Sequence, residues 1–171
     1  MDSKYKQQHK KVYSNTSHIN GIGIFAKKNI QKGENVGLIR GKVINWIVKN
    51  KETSKEGPNW IGFGKNKWIN SLYPFNRINH SCSPNLGIRG SRTMVALKNI
   101  KKGEELLLDY SITESDQLWK LDKKCKCGSK NCRKIIKSIQ YIPKEVFNGY
   151  MPHIPKYFQK VYKKHHNKNA K

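Results

Sequence analysis

The sequence predicts a mostly β domain of the α+β class that ends in a short helical tail. Short runs of β-type residues separated by glycines recur from about residue 22 to residue 110, as is typical of a small domain built from sheets. Towards the C-terminus, the apolar residues Val146, Tyr150, Ile154, Phe158 and Val161 stand roughly four apart, which indicates helix. A chain of 171 residues corresponds to one core that buries roughly 70% of the unfolded surface. We therefore expect one domain with tails.

The predicted strands follow one another along the chain. They are the runs 22–25, 35–39, 42–48, 60–63, 67–69, 93–97 and 105–110. Segments 26–34 and 96–104 are alike in sequence, and each predicts a strand exit, a turn and the entry to the next strand. Segment 111–122 predicts one or two helical turns, and Pro152 and Pro155 are expected to break the C-terminal tail into short helices. The lysine-rich ends, 1–11 and 156–171, are expected to fray.

The composition is strongly basic. The chain has 35 Lys plus Arg against 11 Asp plus Glu, a net charge of +24 and a mean hydropathy of −0.81. Such a field favours nucleic acid, acidic proteins or anionic membrane surfaces as partners, although 30 of the 35 basic residues are Lys and part of this excess reflects AT-rich codons. No stretch approaches the roughly 20 apolar residues of a membrane span, and the first residues lack the apolar run of a signal peptide. We expect a soluble cytosolic product.

The segment from Gly21 to Ala26 fits the pattern Gly-x-Gly-x-x-Ala of dinucleotide-binding turns. That interpretation requires a strand before the turn, a helix after it and an acid about 20 residues further on. Polar residues precede the turn, β-type residues follow it, and 41–51 holds no acid. A Rossmann fold is therefore excluded. The two glycines allow close approach of the backbone either to a ligand or to a neighbouring strand.

Four cysteines form a pattern typical of a metal site. Cys125, Cys127 and Cys132 lie within eight residues, and Cys82 stands alone in an Asn-His-Ser-Cys-Ser-Pro-Asn segment. Four thiolates satisfy Zn²⁺ fully, so the metal would be structural and would tie the C-terminal part to the body of the domain. Disulfides are disfavoured in a cytosolic chain. By itself, Tyr110 at the end of Gly-Glu-Glu-Leu-Leu-Leu-Asp-Tyr reads as a core aromatic.

Taken in order, these motifs resemble the SET-domain protein lysine methyltransferases with a post-SET zinc segment, over about residues 10–138. The resemblance implies a SET-domain β-fold in which the Asn-His-Ser-Cys segment and the strand ending at Tyr110 form a pseudoknot. It further implies a basic N-terminal tail (1–10), a SET domain (11–120), a post-SET zinc segment (121–138) and a C-terminal helical and basic extension (139–171).

The same resemblance implies a site for S-adenosyl-L-methionine (AdoMet). The backbone at Gly21, Ile22 and Gly23 would meet the methionine end of the cofactor, while Asn79 and His80 would hold its amino group and adenine. Tyr110 would be the catalytic residue, at the junction of the cofactor pocket and a narrow channel for the target lysine. Trp60 either lines the cofactor pocket or is a core tryptophan.

The sequence departs from the family pattern at three places. The usual Arg-Phe-Ile-Asn-His is Asn-Arg-Ile-Asn-His from Asn76, which displaces the arginine by one position. The usual acids around Gly41 are replaced by Arg40 and Lys42, so substrate handling on that edge is expected to differ. Leu108 stands in the substrate channel where the family has Phe or Tyr. Because leucine leaves more room, we expect di- or trimethylation.

Acidic residues gather around the tyrosine despite the basic composition. Six of the 11 acids fall within 19 residues, namely Glu104, Glu105, Asp109, Glu114, Asp116 and Asp122. We expect an acidic patch that draws a basic, lysine-bearing peptide. The hypothesis is thus an AdoMet-dependent protein lysine N-methyltransferase with structural Zn²⁺, acting as a monomer on a histone tail or another basic, nucleic-acid-associated protein.

The alternative hypothesis is an inactive SET scaffold that binds chromatin or nucleic acid through its basic surface. Non-specific nucleic acid is an expected partner under either hypothesis, and a membrane is not. We expect a cytoplasmic location for a bacterial source and a nuclear, chromatin-associated location for action in a eukaryotic cell.

Overall fold

The computed structural model describes residues 10–47 and 60–168. The strands are β1 (Val12–Thr16), β2 (Ile22–Ala26), β3 (Asn35–Leu38), β4 (Gly41–Asn45), β5 (Trp60–Gly64), β6 (Lys67–Ser71), β7 (Asn79–His80), β8 (Leu86–Arg89), β9 (Thr93–Ala96) and β10 (Leu107–Leu108). Helices α1 (Lys144–Tyr150) and α2 (Lys156–Lys168) follow, with 3₁₀ turns at Phe75–Arg77, Tyr110–Thr113 and Ile139–Tyr141. The prediction of a mostly β chain with a short helical tail is confirmed.

The strands form three sheets. Strands β1 and β2 pair as an antiparallel hairpin, a three-stranded sheet has the order β4-β6-β5, and a five-stranded sheet has the order β3-β9-β8-β10-β7. Strand β10 is parallel to both of its neighbours and lies between β7 and β8, which follow one another along the chain. This is the strand order that the expected pseudoknot requires. It brings the end of β7 beside the residue that precedes Tyr110.

The two segments that read alike, 26–34 and 96–104, pair with each other. The backbone N–H of Ile30 donates to the Ile100 carbonyl at 2.8 Å, and that of Ile100 returns a bond of 2.9 Å. The asparagine of each segment accepts a bond of 2.9 Å from a backbone N–H of the other. Both isoleucines are buried. The similarity therefore reflects two matching turns that support each other, in agreement with the predicted strand–turn–strand geometry.

Several local predictions are wrong or lie outside the described residues. The strand β1 precedes the glycine turn although its sequence is polar, because its pairing with β2 uses backbone groups and only Val12 among its side chains is buried. It pairs antiparallel with β2, so the exclusion of a Rossmann unit holds. The predicted strand 42–48 ends at Asn45, and residue 48 lies outside the described residues. The strand predicted at 105–110 contracts to β10 because the chain turns into a 3₁₀ helix at Tyr110.

The C-terminal extension is ordered to residue 168, so the prediction that 156–171 frays is wrong over the described part. Helix α2 buries Phe158 and Tyr162 in the main core. The Tyr162 ring stacks on Phe147 of α1 with centroids 3.8 Å apart. Where Phe158 meets β5, a Cβ on Gly62 would lie 3.0 Å from its ring. The apolar side chains of the extension therefore complete the core of the domain.

No helix within residues 10–47 and 60–168 is long and apolar enough to cross a membrane.

Candidate active site and metal site

The glycine turn leads into β2 and lies against Glu105. Gly21 has φ +50°, a conformation that L side chains rarely adopt. A Cβ on Gly23 would lie only 2.8 Å from the carboxyl carbon of Glu105, so a larger residue there would push this carboxylate from its place. Ile22, between them, is 49% exposed. The turn therefore presents exposed backbone beside a carboxylate, and glycine at both positions suits this arrangement.

The Glu105 carboxylate organises the polar groups next to the turn. One of its oxygens accepts from the Ser17 hydroxyl at 2.9 Å. The other accepts from the side-chain amide of Asn79 at 2.9 Å, and the same amide donates to the Asn20 carbonyl at 3.0 Å. A carboxylate and a carbonyl held together in this way are acceptors for an ammonium group. Glu105 was not singled out as a site residue from the sequence.

His80 is buried at the end of β7, directly between the metal site and Tyr110. Its Nδ1 accepts from the backbone N–H of Tyr110 at 3.2 Å. This bond places the ring proton on Nε2, which lies 3.4 Å from the Sγ of Cys82. Burial lowers the pKa of His80 to about 4, although the Asp109 charge opposes the shift. The imidazole is therefore neutral at physiological pH and joins the tyrosine backbone to a cysteine.

Tyr110 lies partly buried next to this histidine. Its hydroxyl donates to the Ile78 carbonyl at 2.6 Å, and its ring meets the His80 ring edge-on with centroids 5.3 Å apart. Burial raises the pKa of Tyr110 to about 12, with a further contribution from the Glu105 charge. The phenol therefore stays protonated at neutral pH, where it donates a hydrogen bond and does not serve as a base.

The four cysteines meet as predicted. The Sγ atoms of Cys82, Cys125, Cys127 and Cys132 all lie within 4.8 Å of one another. Tetrahedral Zn²⁺ with Zn–S bonds of about 2.3 Å requires sulfurs roughly 3.8 Å apart, so this donor set fits zinc. Burial raises the pKa of the Cys127 thiol, but the Cys82 backbone N–H, 3.5 Å from its sulfur, and the Ser129 hydroxyl outweigh that effect, and the pKa falls to about 6. We call residues 121–138 the cysteine segment.

Asp109, fully buried, connects the cysteine segment to the tyrosine. One carboxylate oxygen accepts from the Ser111 backbone at 3.1 Å and lies 3.7 Å from Nδ1 of His80. The other accepts from the Arg133 guanidinium at 2.6 Å and from the Tyr150 hydroxyl at 3.0 Å. We call these five residues the Asp109 network. It joins β7, the tyrosine turn, the cysteine segment and helix α1.

Two of the six acids are withdrawn from the predicted acidic patch. Asp109 is 0% exposed and paired with Arg133. Glu105 is hydrogen-bonded beside the glycine turn. Burial raises the pKa of Glu114 to about 8, helped by the Asp116 charge and opposed by a hydrogen bond with Trp68. Asp109 is therefore enclosed and Glu114 is neutral at pH 7, while Glu105 remains a half-buried carboxylate beside the glycine turn.

Glu114 makes stability depend on pH. Above its ordinary pKa of 4.5 the unfolded carboxyl ionises, while the folded one stays protonated up to about pH 8. Its contribution to stability is therefore complete below pH 4.5, and the free energy of unfolding falls by up to ~1.4 kcal/mol per pH unit across this window. Glu114→Gln removes that loss. We expect its melting temperature to exceed that of the wild type by roughly 9–17 °C at pH 8 and by only about 2–3 °C at pH 5. Glu145→Gln, at an exposed site, is the control, and an equal offset at both pH values would contradict the assignment.

Trp60 and Leu108 stand apart from the polar contacts of the site. The Trp60 ring packs on Trp46 and Trp68, with centroids 5.7 and 6.4 Å away. These contacts favour the core alternative, and its place beside a cofactor stays a prediction. Leu108 is buried in β10, paired with His80 and Leu86. Its role in a substrate channel also stays a prediction.

Most of the strands lie in a part of the chain that matches a known protein family. The family model of the SET domain matches residues 21–111, more than half of the chain. Human histone-lysine N-methyltransferase 2B is 34% identical over 135 residues, which cover 70% of this chain and 5% of that protein. Drosophila virilis trithorax, also named a histone-lysine N-methyltransferase, is 33% identical over 135 residues, covering 70% and 3%. The chain spans only a small part of the length of these relatives.

Solved structures agree on the fold. KRYPTONITE in complex with DNA, a histone H3 peptide and SAH has a TM-score of 0.56 at 22% identity, over 73% of this chain and 29% of that one. A humanized mutant of Chaetomium thermophilum Polycomb Repressive Complex 2, bound to an inhibitor, has a TM-score of 0.50 at 22% identity, over 60% and 15%. At these identities the likeness concerns the fold alone.

Proposed function

Since the chain belongs to the SET domain family, we propose that it is an AdoMet-dependent protein lysine N-methyltransferase. The observation that carries this proposal is the convergence of the glycine turn, Asn79, His80 and Tyr110. Glu105 joins Gly23 to Asn79, and the ring of the adjacent His80 meets that of Tyr110. Groups spread over about 90 residues of sequence thus form one site.

The residues of the glycine turn fit the methionine end of AdoMet. Backbone that lacks Cβ atoms at Gly21 and Gly23 allows close approach, and Glu105 beside it accepts from an ammonium group. Asn79 and His80 would hold the amino group and adenine, as the family resemblance implies. When bound, AdoMet would supply an activated methyl group, which would pass in line to an acceptor amine as the bond between carbon and sulfur breaks and S-adenosyl-L-homocysteine leaves.

Tyr110 would orient the acceptor lysine. Because its pKa is raised to about 12, its hydroxyl keeps its proton and donates it to the Ile78 carbonyl, so its oxygen would accept from an N–H of the lysine amine and leave the nitrogen lone pair free to attack. An ammonium of pKa near 10.4 cannot attack, so the lysine has to lose its proton to solvent as burial disfavours its charged form. The neutral imidazole of His80 holds the backbone of Tyr110 in place through their hydrogen bond.

We propose a histone, or another basic protein associated with nucleic acid, as the substrate. The support is that the curated relatives carry the name histone-lysine N-methyltransferase and come from eukaryotes. A nuclear, chromatin-associated location follows from this substrate. Nothing supports the bacterial, cytoplasmic alternative. The room left by Leu108 leads us to expect di- or trimethylation of the target lysine, and the mass of the product would show it.

Transfer of labelled methyl groups from AdoMet to a mixture of core histones tests the proposal. We expect label on at least one histone, and none on histones whose lysines have been acetylated chemically, because the nitrogen lone pair of an amide is delocalised into its carbonyl and does not attack. Label on the acetylated histones, or AdoMet binding without any transfer to untreated ones, would contradict lysine methylation.

The basic face of α2 supports binding to DNA, the property on which the alternative hypothesis of a non-catalytic module rests. Lys156, Lys160 and Lys163 are exposed on one side of the helix, opposite the buried Phe158 and Tyr162. These three lysines are spaced three to four residues apart and form a basic stripe along the helix, and segment 156–168 contains no acid. Because its apolar face is already buried, this helix is suited to phosphates and not to insertion in a membrane.

Replacing the three stripe lysines by glutamine is expected to weaken binding to double-stranded DNA. Each lost phosphate contact lowers the slope of log K against log salt by about 0.9, so the slope should fall by roughly 2 to 3. A second variant, with glutamine in place of the exposed turn residues Lys28, Lys98 and Lys101, is the control. Binding isotherms at several salt concentrations measure both. Equal slopes for the two variants would show that α2 is not the contact surface.

A further inference from the structure

The C-terminal extension lies beyond the matched residues 21–111, yet it reaches the tyrosine site. Tyr150, the last residue of α1, is 9% exposed. Its hydroxyl lies 3.0 Å from the carboxylate of Asp109 and 3.3 Å from the carbonyl of Cys82. A phenol has one proton to donate, and the charged, closer carboxylate is the stronger acceptor. Tyr150 thus adds a donor to the centre of the Asp109 network.

The position of Tyr150 is fixed by packing and by the backbone. Phe147, one helical turn earlier, stacks on Tyr162 of α2 with an interplanar angle of 8°. Just after the helix, the carbonyl of His153 accepts a hydrogen bond of 2.8 Å from the backbone N–H of Ile88 in β8. The hydroxyl is therefore carried by an element that is anchored on both sides, and it holds Asp109 from a rigid base.

Asp109 in turn fixes the backbone around Tyr110. It directly precedes the tyrosine, and its carboxylate accepts from the N–H of Ser111, which directly follows it, at 3.1 Å. The same carboxylate binds Arg133 of the cysteine segment at 2.6 Å. A rotation of this carboxylate would release the turn that carries Tyr110 and the segment beside it together. The Tyr150 hydroxyl restrains this rotation, and it therefore acts on Tyr110 without touching a substrate.

We propose that Tyr150 is a positioning residue for methyl transfer, which makes the C-terminal extension a working part of the active site. The inference rests on the proposed function. Its hydroxyl holds the Asp109 carboxylate in the orientation that places Tyr110 for the acceptor lysine. The glycine turn and Asn79 lie outside the Asp109 network. His80, the one cofactor residue within it, lies 3.7 Å from the Asp109 carboxylate and accepts its hydrogen bond from the Tyr110 backbone, so we expect the cofactor side of the site to change little.

Tyr150→Phe removes the hydroxyl and leaves the ring. We expect kcat to fall about tenfold, while the KM for AdoMet stays within about twofold and the melting temperature stays within a few degrees. Hydrogen exchange at the amides of Tyr110 and Ser111 should become faster. The matched control is Tyr162→Phe, in the same extension, because the buried Tyr162 hydroxyl has no hydrogen-bond partner among residues 10–47 and 60–168. That control should change none of these quantities.

Unchanged kcat, or unchanged exchange at Ser111, would overturn the inference. So would a loss of kcat that merely follows the fraction of folded protein, or a matching rise in the KM for AdoMet. If the wild type binds AdoMet but transfers no methyl group, the proposed function fails by itself, and the exchange measurement still decides whether Tyr150 restrains the turn.

Discussion

Replacing Cys125 with serine is expected to release the cysteine segment and to abolish methyl transfer. The apolar cluster that holds this segment to the body of the domain is small. Its buried members are Cys82, Cys125 and Ile136, and Trp119 and Leu121 pack beside them. So small a cluster cannot offset the entropy of ordering about 18 residues without bound metal. Arg133 would leave Asp109 when the segment opens, and the backbone of Tyr110 would lose its support.

Zinc content, limited proteolysis and transfer rate together measure this change. We expect loss of bound zinc, cleavage within 121–138 and no detectable transfer for Cys125→Ser. Ser129→Ala is the graded control, because its hydroxyl lies 3.3 Å from the Cys127 sulfur without belonging to the four-thiol set. Loss of such a supporting contact weakens metal affinity by about 10- to 100-fold. A Cys125→Ser protein that keeps its zinc or its activity would contradict the role given to the cluster.

Asp109→Asn is expected to destabilise the domain strongly, although it only replaces one carboxylate oxygen by an amide group. The carboxylate is fully buried against the largely buried Arg133. Removing one partner of such a pair leaves an uncompensated charge, at a cost of about 3–5 kcal/mol. In a protein of this size, that corresponds to a melting temperature lower by roughly 6–15 °C.

The Lys11–Glu34 pair is a matched control at the surface. Its atoms lie 2.7 Å apart, but both side chains are about a quarter exposed, so Glu34→Gln should cost less than ~1 kcal/mol. Thermal unfolding of both variants measures the difference. If Asp109→Asn melts within about 2 °C of Glu34→Gln, Asp109 is not the centre of the network that holds the cysteine segment.

The metal site could be predicted from the sequence because its chemistry depends on residue type and spacing. Three thiols within eight residues and one distant thiol fit few arrangements other than a four-cysteine zinc site, and the four sulfurs do meet. The glycine turn, Asn79, His80 and Tyr110 were identified through a resemblance in the order of motifs. Their spatial convergence depends on β10 lying between β7 and β8, and two-residue strands leave no periodic signal.

Other features depend on pairings that one sequence does not reveal. Asp109 and Glu114 were grouped with the surface acids, because the 3₁₀ turn between them, which directs Asp109 into the core, is not visible from charge alone. Arg133 stood next to the third clustered cysteine without an assigned partner. Tyr150 read as one apolar position of an amphipathic helix, and only the tertiary structure shows that its hydroxyl reaches Asp109.

The most direct test of the proposed function is single-turnover methyl transfer to a histone substrate by the wild type and by Tyr110→Phe, with AdoMet affinity measured on both. Removing one hydrogen-bonding group from an organised site typically lowers the chemical rate by about 100-fold or more. We predict that loss for Tyr110→Phe, with AdoMet affinity within about threefold of the wild type. Equal transfer rates at equal affinity would contradict the role of Tyr110, and with it the proposed mechanism.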